Sequence, residues 1–173
     1  MRDSQGAYWY EKSKSLILTE HGPKGGDEIN ILKEKEFDLN INFGWPIVTY
    51  GSLGPTPIKE NKFTIKDKNN HTPNGFKEPL YWFKGNSVAP SAIVNVDGFR
   101  EDFNNVFFMS AMGNVPAPGR RSIHDLRFDE NLENLIFSDI IPIGERIRDL
   151  IYLESKKKIV LFLENSPSIA VLE

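Results

Sequence analysis

Two groups of residues in this chain have types and spacings that could do chemistry. The first is Glu20-His21-Gly22-Pro23-Lys24-Gly25-Gly26-Asp27-Glu28-Ile29-Asn30, followed about a dozen residues later by Phe43-Gly44-Trp45-Pro46. Glycine turns, a rigid Gly-Pro step and adjacent carboxylates offer backbone carbonyls and acid oxygens, the donors a hard cation such as calcium accepts in irregular geometry. An acidic turn without a metal is the competing reading. On a strand Asp27 and Glu28 point to opposite faces, so one is free to face a cation while the other caps a turn. The second group is Arg146-Ile147-Arg148-Asp149. At the start of a strand the two arginines share one face, about 6–7 Å apart, with Ile147 turned into the core. Two guanidinium forks at that separation suit a ligand with several carboxylates. A solvated edge with local pairing to Glu145 and Asp149 is the alternative.

Other residues carry less. His21, His71 and His124 lie at no metal-ligand spacing, and packing or surface roles are expected for His71 and His124. No Gly-x-Ser-x-Gly elbow supports Ser-His-Asp catalysis. Lys156-Lys157-Lys158 reads as an exposed hairpin turn.

These groups must be held by short strands. Apolar runs bounded by turn residues recur at Ser15–Thr19, Glu28–Leu32, Pro46–Tyr50, Leu80–Phe83, Ala92–Val96, Val106–Ser110, Ile123–Phe128, Leu135–Ile140, Arg146–Leu153, Ile159–Leu163 and Ser168–Leu172. Many are β-branched or aromatic and several alternate, the pattern of half-buried strands. Phe37–Asn42 alternates too, as a strand or a turn leading to Gly44-Trp45-Pro46. Nothing repeats at 3.6 residues over a long stretch, so the chain reads as all-β, in antiparallel meanders. A propeller blade takes about 40–50 residues, so three to four blades would fit. Gly54–Gly75, Asp97–Asn105 and Gly113–Arg121 read as surface excursions.

Composition narrows the classes. The 173 residues suit a single domain. A net charge of -3 gives no reason to expect nucleic acid or an anionic membrane as partner. Cysteine is absent, which removes disulfides, thiolate metal sites and cysteine nucleophiles. No run approaches the roughly 20 apolar residues of a membrane span, and no signal peptide follows Met1. The first residues, Arg2 to Gly6, read as an interior turn, so the start is expected to be a truncation.

In order along the chain, Arg2-Asp3-Ser4-Gln5-Gly6, the Glu20–Asn30 string, Asn42-Phe43-Gly44-Trp45-Pro46, Ala89-Pro90-Ser91 and Gly144–Asp149 resemble the C-terminal half of the soluble glucose/sorbosone dehydrogenase family. The resemblance covers nearly the whole chain. It implies that residues 1–173 are part of one six-bladed β-propeller whose N-terminal blades are absent, from a protein exported to the periplasm or secreted. It implies a pyrroloquinoline-quinone cofactor and Ca2+, an aldose oxidised at its anomeric carbon, and an external electron acceptor. On this resemblance Arg2, Asp3, Arg146 and Arg148 would face the cofactor. The carbonyls of Gly22 and Pro23 would hold the catalytic calcium, and Asp27, Glu28 and the carbonyl of Phe43 a second, structural one. The general-base histidine of the family would lie upstream, and His21 stands where members carry His or Gln. Asp3 replaces a common Asn, and Gly113 stands where several members carry a cofactor-contacting lysine. A non-catalytic propeller that binds a protein or carbohydrate through its top loops, with Gly54–Gly75 as the surface, is the alternative.

Overall fold

The computed structural model describes residues 1–52, 70–114 and 118–173. Among these residues eleven strands form three antiparallel sheets, each built from consecutive strands. The first holds β1 (Ser4–Tyr10), β2 (Ser15–Glu20), β3 (Glu28–Lys33) and β4 (Tyr81–Trp82); the second β5 (Pro90–Asn95), β6 (Val106–Ala111), β7 (Ser122–Phe128) and β8 (Leu135–Pro142). The third holds β9 (Ile147–Leu153), β10 (Lys158–Leu163) and β11 (Ser168–Leu172). The leading strands β1, β5 and β9 lie side by side. This is the arrangement of β-propeller blades around an axis.

The middle sheet is covered on both faces, which explains the unbroken apolar run Val106-Phe107-Phe108-Met109. Side chains alternate along a strand. Phe107 and Met109 therefore enter the core shared with Ile17, Ile29 and Tyr10 of the first sheet. Val106 and Phe108 enter the core shared with Ile147, Leu150, Ile159 and Leu161 of the third. Phe107 is fully buried, with edge-on ring contacts to Tyr8, Tyr10 and Phe128. The third sheet keeps an uncovered face. There Ile151, Val160 and Val171 are cross-strand neighbours, as are Phe162 and Ile169, and Ile169 is 64% exposed.

Ten of the eleven expected runs are strands. Pro46–Tyr50 is not: a turn built on the cis Trp45-Pro46 peptide occupies it, and the N–H groups of Ile47 and Val48 go back to the Gly44 carbonyl instead of to a ladder. The expected turn at the start is also corrected. Ser4–Tyr10 is β1, paired with β2 from Ser4↔Glu20 to Tyr10↔Ser15, because Ala7-Tyr8-Trp9-Tyr10 packs its alternate rings inward. Phe37–Asn42 is turn and irregular chain. Lys156 and Lys157 lie in the exposed β9–β10 turn, with Lys157 left-handed at φ 48°. Most of the Gly54–Gly75 surface and the centre of Gly113–Arg121 lie outside the described residues.

Candidate functional site

The loop between β2 and β3 is closed by Asp27. Its Oδ1 accepts the N–H of Gly22 at 3.0 Å and its Oδ2 accepts the N–H of Ala89 at 2.8 Å. Asp27 is therefore the turn-capping member of the acidic pair. Burial pushes its carboxyl up, and the Ala89 and Gly22 N–H groups pull it down. The glycines are required: a Cβ on Gly22 would lie 1.8 Å from the Gly26 carbonyl oxygen, and Gly25 has φ 76°. The Pro23 carbonyl accepts the Gly26 N–H at 2.7 Å. The Arg2 guanidinium donates to the carbonyls of His21, at 2.9 Å, and Gly22, at 3.2 Å, and lies over the Trp45 ring. Asp3 Oδ2 is 3.7 Å from His21 Nδ1, and His21 Nε2 donates to the Pro90 carbonyl at 2.8 Å.

Glu28 points the other way, into a buried group with Glu20 and Asn30. The Asn30 amide donates to both carboxylates, at 3.3 Å to Glu20 and 3.4 Å to Glu28, while its own Oδ1 is buried without a partner. The Arg2 backbone N–H closes on the Glu20 carboxylate. Burial, then the Glu20 charge, push the Glu28 carboxyl up to about 7. Phe43, whose carbonyl was expected beside it, is buried. Among the described residues no three His, Asp or Glu side chains come together as a ready metal set.

The arginine pair stands at the start of β9. Arg146 directly precedes the strand, and Arg148 is in it. Both guanidiniums turn to Glu164, not to Glu145 or Asp149: Arg146 Nε is 3.3 Å and Arg148 Nη2 3.1 Å from Glu164 Oε2. Arg146 also donates to the Met112 carbonyl at 2.6 Å and to the Asn114 side chain.

Ala89-Pro90-Ser91 bridges the two groups. Ala89 gives its N–H to Asp27 and its carbonyl to the N–H of Met112, whose own carbonyl accepts from Arg146. Pro90 takes the His21 ring, and the buried Ser91 hydroxyl donates to the Ile147 carbonyl at 2.6 Å. Loop, bridge and arginines thus sit at one end of β1, β5 and β9. Sequence reading named the bridge without a role and missed Glu164, which no local pattern links to residues 16 and 18 positions earlier. At Gly113, where a lysine was absent, a Cβ would meet the Arg120 side chain at 2.5 Å. Arg120 itself donates to the Ser87 carbonyl.

The family model described as glucose / sorbosone dehydrogenase matches residues 1–168. The chain belongs to the glucose/sorbosone dehydrogenase family. Among curated relatives, this family member is 35% identical over 100 residues to the aldose sugar dehydrogenase YliI of Escherichia coli (strain K12), a match covering 57% of this chain and 24% of that one. It is 27% identical over 150 residues to an uncharacterized protein of Synechocystis sp., covering 86% of this chain and 32% of that one. A crystal structure of glucose dehydrogenase superposes with a TM-score of 0.73 at 23% identity, covering 98% of this chain and 44% of that one. The apo-form of the soluble aldose sugar dehydrogenase of Escherichia coli superposes at 0.70 with 24% identity, covering 99% and 44%. These two likenesses carry the propeller fold. The chain therefore spans less than half the length of these relatives. No helix among its described residues is long and apolar enough to cross a membrane.

Proposed function

We propose that this chain supplies the cofactor-holding half of a pyrroloquinoline-quinone- and calcium-dependent sugar dehydrogenase of the periplasm, which oxidises an aldose at the anomeric carbon and passes electrons to an external acceptor. The observation that carries the reading is the Glu164 carboxylate seated between Arg146 and Arg148. The arginine pair already holds one carboxylate of the chain itself, so its chemistry suits a ligand that carries carboxylates. Arg2, facing the Gly22 carbonyl from β1's approach, adds a third cation.

The Gly22 and Pro23 carbonyls would hold calcium through lone pairs their present N–H partners leave free. Glu28, with Glu20 beside it and the carbonyl of Phe43, would hold a second ion. Asp3 is near enough to His21 to offset part of the cationic field. Bound at this end of the propeller, the quinone supplies the hydride acceptor. The chain's own work would be to neutralise and orient it through the arginines, while the Asp27–Ala89 bond holds the loop against the start of β5.

None of the three histidines is placed as the general base. His21 is tied to Pro90, His71 is buried beside Glu78, and buried His124 bonds the Gly119 carbonyl at 2.7 Å. The proton acceptor belongs to another part of the protein. The test is reconstitution of the full-length protein with quinone and calcium, followed by dye reduction with a panel of aldoses. Sugar-dependent turnover that needs calcium is the expected result. No turnover with any aldose and no calcium-dependent quinone binding would overturn the reading.

A further inference from the structure

Glu164 follows β10, and its backbone N–H donates to the Arg146 carbonyl at 2.9 Å. That bond sets its side chain between the two guanidiniums. Oε2 is shared by Arg146 Nε and Arg148 Nη2, and Oε1 lies 3.5 Å from Arg146 Nη2. Two cations thus face one carboxylate, leaving a single uncompensated positive charge in the pair.

The Arg148 side chain is 53% exposed and that of Glu164 36%. Water screens such a pair, which contributes about 1 kcal/mol or less, so it is displaceable. It is also tethered, and an attached group acts at an effective concentration on the order of millimolar. A monocarboxylate offers the arginines only what Glu164 already gives and must outcompete that tethered group. A ligand with two or more carboxylates can displace Glu164 with one and gain a new contact with the next, to the N–H groups of exposed Arg148 that Glu164 leaves free.

We propose that Glu164 is a specificity-determining residue of the two-arginine cradle: it shuts out monocarboxylates and admits ligands bearing several carboxylates. The inference rests on the anion-binding reading of Arg146 and Arg148 given above, and the experiment separates the two. Citrate and acetate are titrated into the parent chain and into Glu164→Gln, with binding read from the arginine side-chain N–H resonances. In the variant citrate should bind roughly tenfold tighter, a change of about 1.4 kcal/mol. Acetate, silent with the parent, should become measurable, because the same gain lifts its weaker binding into range. In the parent, citrate should also shift the Glu164 carboxyl carbon, a readout that does not depend on the variant folding. Glu164→Asp, shorter by one methylene, should fall between the two.

Equal citrate affinity in parent and Glu164→Gln, an unmoved Glu164 carbon, or no citrate binding to either protein would overturn the assignment. Pyrroloquinoline quinone is titrated alongside. If the citrate shift stands and neither protein binds the quinone, the cofactor reading falls and Glu164 keeps its role. If both bind the quinone equally, Glu164 loses its role and the cofactor reading stands.

Discussion

The Asp27 carboxylate and the Ala89 backbone N–H, 62 positions apart in sequence, meet at 2.8 Å and tie the β2–β3 loop to the strand that leads the middle sheet. Ala89 is held left-handed at φ 55° beside this bond. Asp27→Asn leaves one acceptor oxygen for two N–H donors and turns an amide NH2 toward the other. Hydrogen bonds to a charged group are worth about 1.5–3 kcal/mol, so the variant is expected to lose about 2–3 kcal/mol in urea unfolding. A loss below about 0.5 kcal/mol would show that the loop is held elsewhere.

Glu28 makes stability fall with rising pH. Its folded carboxyl, pushed up to about 7 by burial and by Glu20, keeps a proton that the unfolded chain releases near 4.5. Between those values the folded state binds more protons, and its stability declines as pH rises. The contribution is fully present below about pH 4.5 and gone above about pH 7. Glu28→Gln should flatten this decline and exceed the parent at pH 8 by up to about 3 kcal/mol, at roughly 1.4 kcal/mol per pKa unit. Denaturant titrations at pH 4, 6 and 8 decide it. The histidines oppose this slope in both proteins, so the difference between variant and parent is what counts. A difference that does not grow from pH 4 to pH 8 contradicts the burial of this pair.

The histidines act on the acid side. Burial is the leading cause that holds both His71 and His124 below the ordinary value of 6.5. The unfolded chain therefore takes up their protons first, and stability is lost as pH falls from 6.5 toward the folded values. Histidine NMR titration is the check. Both rings should titrate below 6.5, and a ring titrating above it contradicts this packing.

Residues 1–173 taken alone are predicted to self-associate through the uncovered face of the third sheet. Ile169 and Val171 are exposed on β11, which has a ladder partner on one side only among the described residues. Exposed edges with apolar side chains template further pairing. Sedimentation of the chain should show mass rising with concentration, and Ile169→Lys should suppress the rise while leaving the circular dichroism spectrum unchanged. A monomer at all concentrations would contradict the prediction.

The strands were largely legible because Val106–Met109 or Ile147–Leu153 meets a core that rewards alternation or continuous apolarity. Pro46–Tyr50 was not, because its apolar residues pack around a turn and its N–H groups are spent on Gly44. β1 was missed because two charges and a glycine at its start outweighed the aromatic run behind them. At the candidate site, the loop and the arginines could be named from residue type. Their connection could not: the partners of Asp27, Arg146 and Arg148 are Ala89, Met112 and Glu164, set by how three sheets stack.

Each sheet is also made from a continuous stretch of chain, with strands joined to their neighbours in order. Among the described residues each sheet closes on its own strands before the next sheet begins, the first with the two-residue β4. A chain so arranged is suited to vectorial folding on the ribosome, each blade setting as it emerges and offering its face as the template for the next.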